Sequence, residues 1–134
     1  MRHSSRDEGL LLWQWSRYPG AHRDRANLLA HALTVPFFVA GTVVLLASPF
    51  LGPWWLGGGG LAAMVAAVLL QGRTHRRERT AAPPFRGPAD VLQRILLEQW
   101  VTFPRFVLSG EFSRSWRSSP HEPSEAGPDP VTPV

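Results

Sequence analysis

The sequence predicts an all-α fold: a small helical membrane protein, a two-span antiparallel hairpin with flanking interfacial and amphipathic helices. Three observations predict it. Residues 34–51 and 54–70 carry no charged side chain. Between them lies only Gly52-Pro53, a turn signal. Arg17, Arg23 and Arg25 precede the first run and Arg73, Arg76, Arg77 and Arg79 follow the second, while the turn has none. Positive residues on one side only place both termini in the cytoplasm.

The elements follow in order. Residues 1–9 are polar and are expected to be disordered, ahead of a single helical membrane domain over 10–112. The start carries acids, and its short apolar run is interrupted by Gln14, so it does not read as a secretory signal. Leu10-Leu11-Leu12-Trp13-Gln14-Trp15, with Tyr18, predicts a short interfacial helix, since Trp and Tyr favour the headgroup level. Tyr18-Pro19-Gly20 ends it. A second helix begins near Asp24 and runs through Asn27 and His31 into the first span, where Pro36 causes at most a kink. Each span is minimal, because about 18 residues at a helical rise cover only about 27 Å. Gly57-Gly58-Gly59-Gly60 is not followed by Lys, Ser or Thr, which argues against a phosphate loop and for close packing of the spans. Residues 80–88 form a Pro-rich connector. Residues 89–109 predict an amphipathic helix on the bilayer surface, interrupted by Asp90, Arg94, Glu98 and Arg105 and kinked by Pro104. The Pro-, Ser- and Glu-rich stretch 113–134 is expected to be disordered.

Composition narrows the chemistry. The chain of 134 residues has 14 basic side chains, all arginine, against 10 acidic ones, a formal charge of +4. The arginines gather beside the apolar runs without forming a dense basic tract, so lipid headgroups are the expected partner and nucleic acid is not. Cysteine is absent, which excludes disulfides, iron–sulfur clusters and thiol nucleophiles. Any metal must be held by His, Asp, Glu or amide side chains.

A hairpin returns to the side it left, so His31, before the first span, and His75, after the second, end at one membrane face. Asn27 precedes His31 by four residues, Gln71 precedes His75 by four, and Glu78 follows it by three, which are shared-face offsets. With His22, this outlines an open metal site of imidazoles and a carboxylate. The alternative for each histidine is a solvated or helix-capping group, and for Glu78 a surface pairing with Arg76 or Arg79.

The run Tyr18-x3-His22-x4-Asn27-x3-His31-x4-Pro36 resembles the opening motif of the membrane family that contains the fungal 2-hydroxy fatty acid dioxygenase. The second half resembles it too, through Gln71, Thr74-His75, Glu78, Ala82-Pro83-Pro84-Phe85-Arg86-Gly87-Pro88 and the stretch ending Phe106-Val107-Leu108-Ser109-Gly110. The likeness covers roughly residues 13 to 112. Thr34 and Thr74 stand where the family usually has glycine, and the His75–Glu78 interval is one residue shorter than its pattern. A one-residue shift turns a helical side chain by about 100°.

The resemblance implies an iron(II)-dependent dioxygenase of fatty acid α-oxidation, which converts a long-chain 2-hydroxy acid to the acid one carbon shorter. It implies that His22, His31, His75 and Glu78 hold the iron, with Asn27 and Gln71 as supporting hydrogen-bond donors. Arg73 or Arg76 would take the substrate carboxylate. The alternatives are a small non-catalytic integral membrane protein or a metal-binding accessory subunit. Since so short a hairpin gains from self-association, a homo-oligomer is a further expectation.

Overall fold

A computed structural model describes Arg6 and residues 9–119. The disorder expected at either end therefore lies mostly outside the described residues. The fold is all-α, with no strand among the described residues: α1 (Leu10–Arg17), α2 (Arg25–Leu51), α3 (Trp54–His75), α4 (Pro88–Leu97), α5 (Phe103–Leu108) and α6 (Glu111–Ser118).

Helices α2 and α3 are the hairpin. Asp24 caps α2 by accepting from Asn27 N at 3.1 Å, which satisfies one of the orphan donors of a first turn. Pro36 and Pro49 lie inside α2 without ending it. Gly52 and Pro53 make the turn. Two of the four glycines pack as expected: a Cβ at Gly60 would sit 2.6 Å from Gly41 O, and one at Gly57 would sit 2.5 Å from Ser48 Oγ. Small residues thus let the two backbones touch. Gly58 and Gly59 face open space.

Both hairpin helices are long and apolar enough to cross a membrane, and only 39% and 22% of their apolar windows are buried. The core helix of a soluble protein would show the reverse. Phe37, Leu46, Phe50, Leu51, Trp54 and Leu69 are all exposed on the hairpin, a continuous apolar surface that calls for lipid rather than water.

A compact cap folds over the open end of the hairpin. Its core is Tyr18, Leu28, Val35, Phe103 and Phe106, with Trp15, Phe112 and Trp116 packed around it. The Tyr18-Pro19-Gly20 break is a 3₁₀ turn over Tyr18–Ala21, and α1 ahead of it packs against α4 and residues 98–102. Two expectations need revision here. The helical domain continues past 112, because α6 buries Ser115 and its Trp116 carbonyl accepts from Arg25 Nε at 3.3 Å. And the helix expected over 89–109 is not a regular kinked rod: residues Glu98–Thr102 form a π turn between α4 and α5.

The physical reason for the π turn is Pro104. It has no N–H for the Trp100 carbonyl and its ring crowds that carbonyl. Widening the preceding turn relieves the clash, and Phe103 N bonds Glu98 O instead. The register shift turns Glu98, Gln99 and Thr102 toward the hairpin. It leaves Leu92, Trp100, Val101 and Leu108 exposed, while Phe103 and Phe106 of the same stretch are buried in the core.

Candidate metal centre

Three elements converge at the open end of the hairpin. His22 comes from the end of the 3₁₀ turn, His31 from the second turn of α2 and His75 from the last residue of α3. Their ring centroids lie 4.7, 4.8 and 5.0 Å apart. Every pair is nearly perpendicular, with interplanar angles of 79° to 87°. Mutually orthogonal rings around one point are the arrangement of imidazoles aimed at a common centre rather than of a stacked aromatic core.

The fourth donor is Glu98. Its Oε1 lies 3.2 Å from His31 Nε2 and 3.5 Å from His22 Nε2. One donor atom from each of His22, His31, His75 and Glu98 falls within 4.8 Å of all the others. Four such donors can bind a metal ion. Bonds near 2.1 Å require donors about 3–4 Å apart, so the shell contracts slightly around an ion.

The tautomers support this reading. His22 Nδ1 is 2.9 Å from the Tyr18 carbonyl and His31 Nδ1 is 2.9 Å from the Asn27 carbonyl. A carbonyl only accepts, so each Nδ1 carries the proton and each neutral ring keeps its Nε2 lone pair. Both Nε2 atoms are buried without a hydrogen-bond partner among the described residues. An orphaned buried acceptor costs about 1–3 kcal/mol, and here two of them face a carboxylate oxygen. Two Nε2 lone pairs facing one carboxylate oxygen call for a cation between them, a metal ion or a proton on one ring.

A proton can also fill the gap between the rings and the carboxylate: burial pushes the Glu98 carboxyl upward, but His22 and His31, when protonated, donate to Oε1, outweigh it and hold Glu98 well below the usual carboxylate range. Tyr18 donates its hydroxyl to the same Oε1 at 3.0 Å and stacks on the His22 ring at 3.8 Å. Burial first, and then the Glu98 charge, raise the Tyr18 phenol well above its ordinary value. Tyr18 is therefore a fixed donor that orients the carboxylate.

Of the expected ligands, His22, His31 and His75 come together and Glu78 does not. Glu78 accepts from Arg23 N, Asp24 N and Asn27 Nδ2 at 3.0, 3.1 and 2.8 Å. It caps the free amides ahead of α2 and ties the end of α3 to that start. With an interval of only three residues after His75, the chain has turned away from the ring, and Glu98 supplies the carboxylate instead.

Asn27 touches two of the three histidines. Its carbonyl holds His31, its Nδ2 lies 3.4 Å from His75 Nδ1, and its Oδ1 accepts from Thr74 Oγ1 at 2.9 Å. Gln71 supports the site differently from what was expected. It donates to Thr34 Oγ1 at 2.7 Å and exchanges amide bonds with Gln99 at 3.2 and 2.7 Å. It thus clamps α2, α3 and the π turn next to Glu98 rather than touching His75. Thr34 and Thr74, the two departures from glycine, are both used in these networks. Arg73 and Arg76 are exposed at the end of α3 and do not line the site.

An open cleft of about 410 Å³, counting its mouth, leads to the cluster between Trp13, Arg17, Ala82 and Arg94, with His75 and Glu98 in its wall. Glu98 was the residue that sequence reasoning missed. It read as one more interruption of an amphipathic face, and only the Pro104-induced π turn, itself signalled by that proline, rotates it inward. Comparison with protein-family models, curated proteins and solved structures finds no match for this chain.

Proposed function

We propose that the protein is an iron(II)-dependent membrane dioxygenase acting on long-chain 2-hydroxy fatty acids, with both termini cytoplasmic. The observation that carries this reading is the set of three imidazoles and one carboxylate, two of the imidazoles with unpartnered buried Nε2 atoms, beside an open cleft. Neutral nitrogen and carboxylate donors without thiolate suit iron, manganese or zinc. The motif likeness to the 2-hydroxy fatty acid dioxygenase family favours iron.

His22, His31, His75 and Glu98 would hold the ion, which when bound supplies the activation of dioxygen. The chain's own residues do the rest. The Tyr18 and Asn27 carbonyls fix the tautomers of His22 and His31, so that both Nε2 lone pairs stay aimed inward. Tyr18 holds Glu98 Oε1, and the Gln71–Gln99 pair holds the backbone beside it. His31 is closed off, whereas His75 and Glu98, with the buried His22 behind them, border the cleft. Substrate therefore approaches from the His75–Glu98 side. The exposed apolar hairpin keeps the site at a lipid surface, where a long acyl chain resides, and the arginines flanking the hairpin support the orientation.

The test is incubation of the iron(II)-loaded, detergent-purified chain with 2-hydroxypalmitate and dioxygen, read by mass spectrometry. The expected product is the acid one carbon shorter. Iron-loaded protein without that product contradicts the reading. A second reading, a closed four-donor zinc centre with a structural role, is favoured by the donor count alone, since structural sites are four-coordinate. Tight zinc with no exchangeable position would support it. A reporter fused at Val134 that is active only outside the cytoplasm would contradict the orientation.

A further inference from the structure

Two guanidinium groups, those of Arg17 and Arg94, line the cleft, and that of Arg6 lies beside them over Trp13. Arg6, Arg94 and Arg17 lie 4.5, 5.2 and 5.5 Å from the centre of the same Trp13 ring. Against these three cations stand two carboxylates, Asp90, which pairs with Arg6 and lies 3.9 Å from Arg94 Nη1, and Glu98 in the cleft wall. Arg17 has no carboxylate partner among the described residues. The local charge is therefore positive, at the opening that leads to His75 and Glu98.

Arg94 is the distinctive member. Its side chain is only 11% exposed, yet among the described residues its guanidinium donates one hydrogen bond, Nη1 to Pro83 O at 3.0 Å. The Phe85 ring at 4.4 Å holds the guanidinium plane. Gln14 Nε2 bonds the Arg94 carbonyl at 3.2 Å and fixes its backbone. Four residues on, Glu98 shares its helix face. This is an oriented, largely desolvated fork with spare N–H donors, lining the cleft that ends at the metal donors. A planar carboxylate is the anion that such a fork matches in two parallel bonds.

We propose that this cleft is a carboxylate-recognition subsite: Arg94 grips the carboxylate of an acyl ligand and Arg17 attracts it at the rim. The head group is thereby set against His75 and Glu98. The assignment rests on the proposed reading of the site as one that acts on a fatty acid, and it moves the carboxylate role from Arg73 and Arg76 to residues of α1 and α4.

The test uses the full chain in detergent, both metal-free and cobalt(II)-loaded. Three probes are titrated: 2-hydroxypalmitate, 1,2-hexadecanediol with the same chain and hydroxyl but no charge, and hexadecyl phosphate. Wild type should bind the acid at least about tenfold tighter than the diol, with or without metal. Arg94→Gln should erase that difference and leave the diol within about twofold, and Arg17→Gln should cost the acid about threefold. Arg73→Gln and Arg76→Gln should change nothing.

Equal binding of acid and diol by wild type, equal loss of both in Arg94→Gln, or tighter binding of the phosphate would overturn the inference. If Arg94→Gln loses its helical circular dichroism, Arg94→Lys decides. It keeps the charge beside Asp90 but not the fork, and it should weaken the acid alone. Discrimination by a protein that takes up no metal would leave the subsite standing and remove the dioxygenase reading. Metal uptake without discrimination would do the reverse.

Discussion

At the scale of single residues, the cluster is a problem of lone pairs. Protonated Nδ1 atoms on His22 and His31 leave two acceptors facing the Glu98 carboxylate when the rings are neutral, and Tyr18 donates to that carboxylate from outside the ring set. The phenol can be read in isolation, because the chain has 1 tyrosine. Its folded value is raised by burial and by Glu98. A raised value means the stabilisation is fully present below the unfolded value of about 10 and is lost as pH rises through the folded one. Phenolate absorbance in an alkaline titration should therefore appear only well above pH 10, together with loss of helical structure. A reversible midpoint near 10 in folded protein would show that the phenol is not held. Tyr18→Phe should lower metal affinity about 10–100-fold, as expected for a group that orients a ligand.

At the scale of elements, the hairpin is held by backbone proximity at Gly41 and Gly60, where an added Cβ would meet carbonyl oxygen at 2.6 Å from either side. Neither backbone can give way without opening the hairpin. Gly60→Ala should therefore destabilise the protein by about 1–3 kcal/mol in thermal or detergent unfolding. Gly58→Ala and Gly59→Ala, where a Cβ meets nothing, should be neutral or stabilise by about 0.5–1 kcal/mol. Equal effects at Gly58 and Gly60 would contradict the packing. This contrast was partly legible in the sequence: the Gly57–Gly60 run announced close packing but not which glycines make it.

The same division applies to the site. A charge-free hairpin returns to its own side, so the meeting of His31 and His75 followed from topology alone, and the Tyr18-Pro19-Gly20 break explained how His22 reaches them. The carboxylate did not follow. Glu78 sits at a plausible helical offset, but its oxygens are taken by the free amides of Arg23 and Asp24. Glu98 depends on the register shift of a π turn, which no period-3.6 pattern displays.

At the scale of the whole molecule, the protein divides into an apolar hairpin that exposes its side chains and a cap that buries polar ones. The cap is closed at its far side by α6, through Trp116 over the Arg25 guanidinium and Ser119 Oγ donating to the Arg23 carbonyl. Deletion of 111–119 should loosen the start of α2 and with it His22 and His31, so metal affinity should fall at least about tenfold. A chain ending after Ser119 should bind metal as the full chain does. Equal affinities for the two truncations would show that α6 has no part in holding the site.

The most direct test of the account is the metal content of wild type, Glu98→Ala and Glu78→Ala chains purified in mild detergent and measured by mass spectrometry. The account predicts about one ion per wild-type chain, loss of that ion in Glu98→Ala, and its retention in Glu78→Ala, where only the cap of α2 is weakened. A wild-type chain that takes up no ion, or an ion that survives Glu98→Ala and disappears in Glu78→Ala, would contradict it.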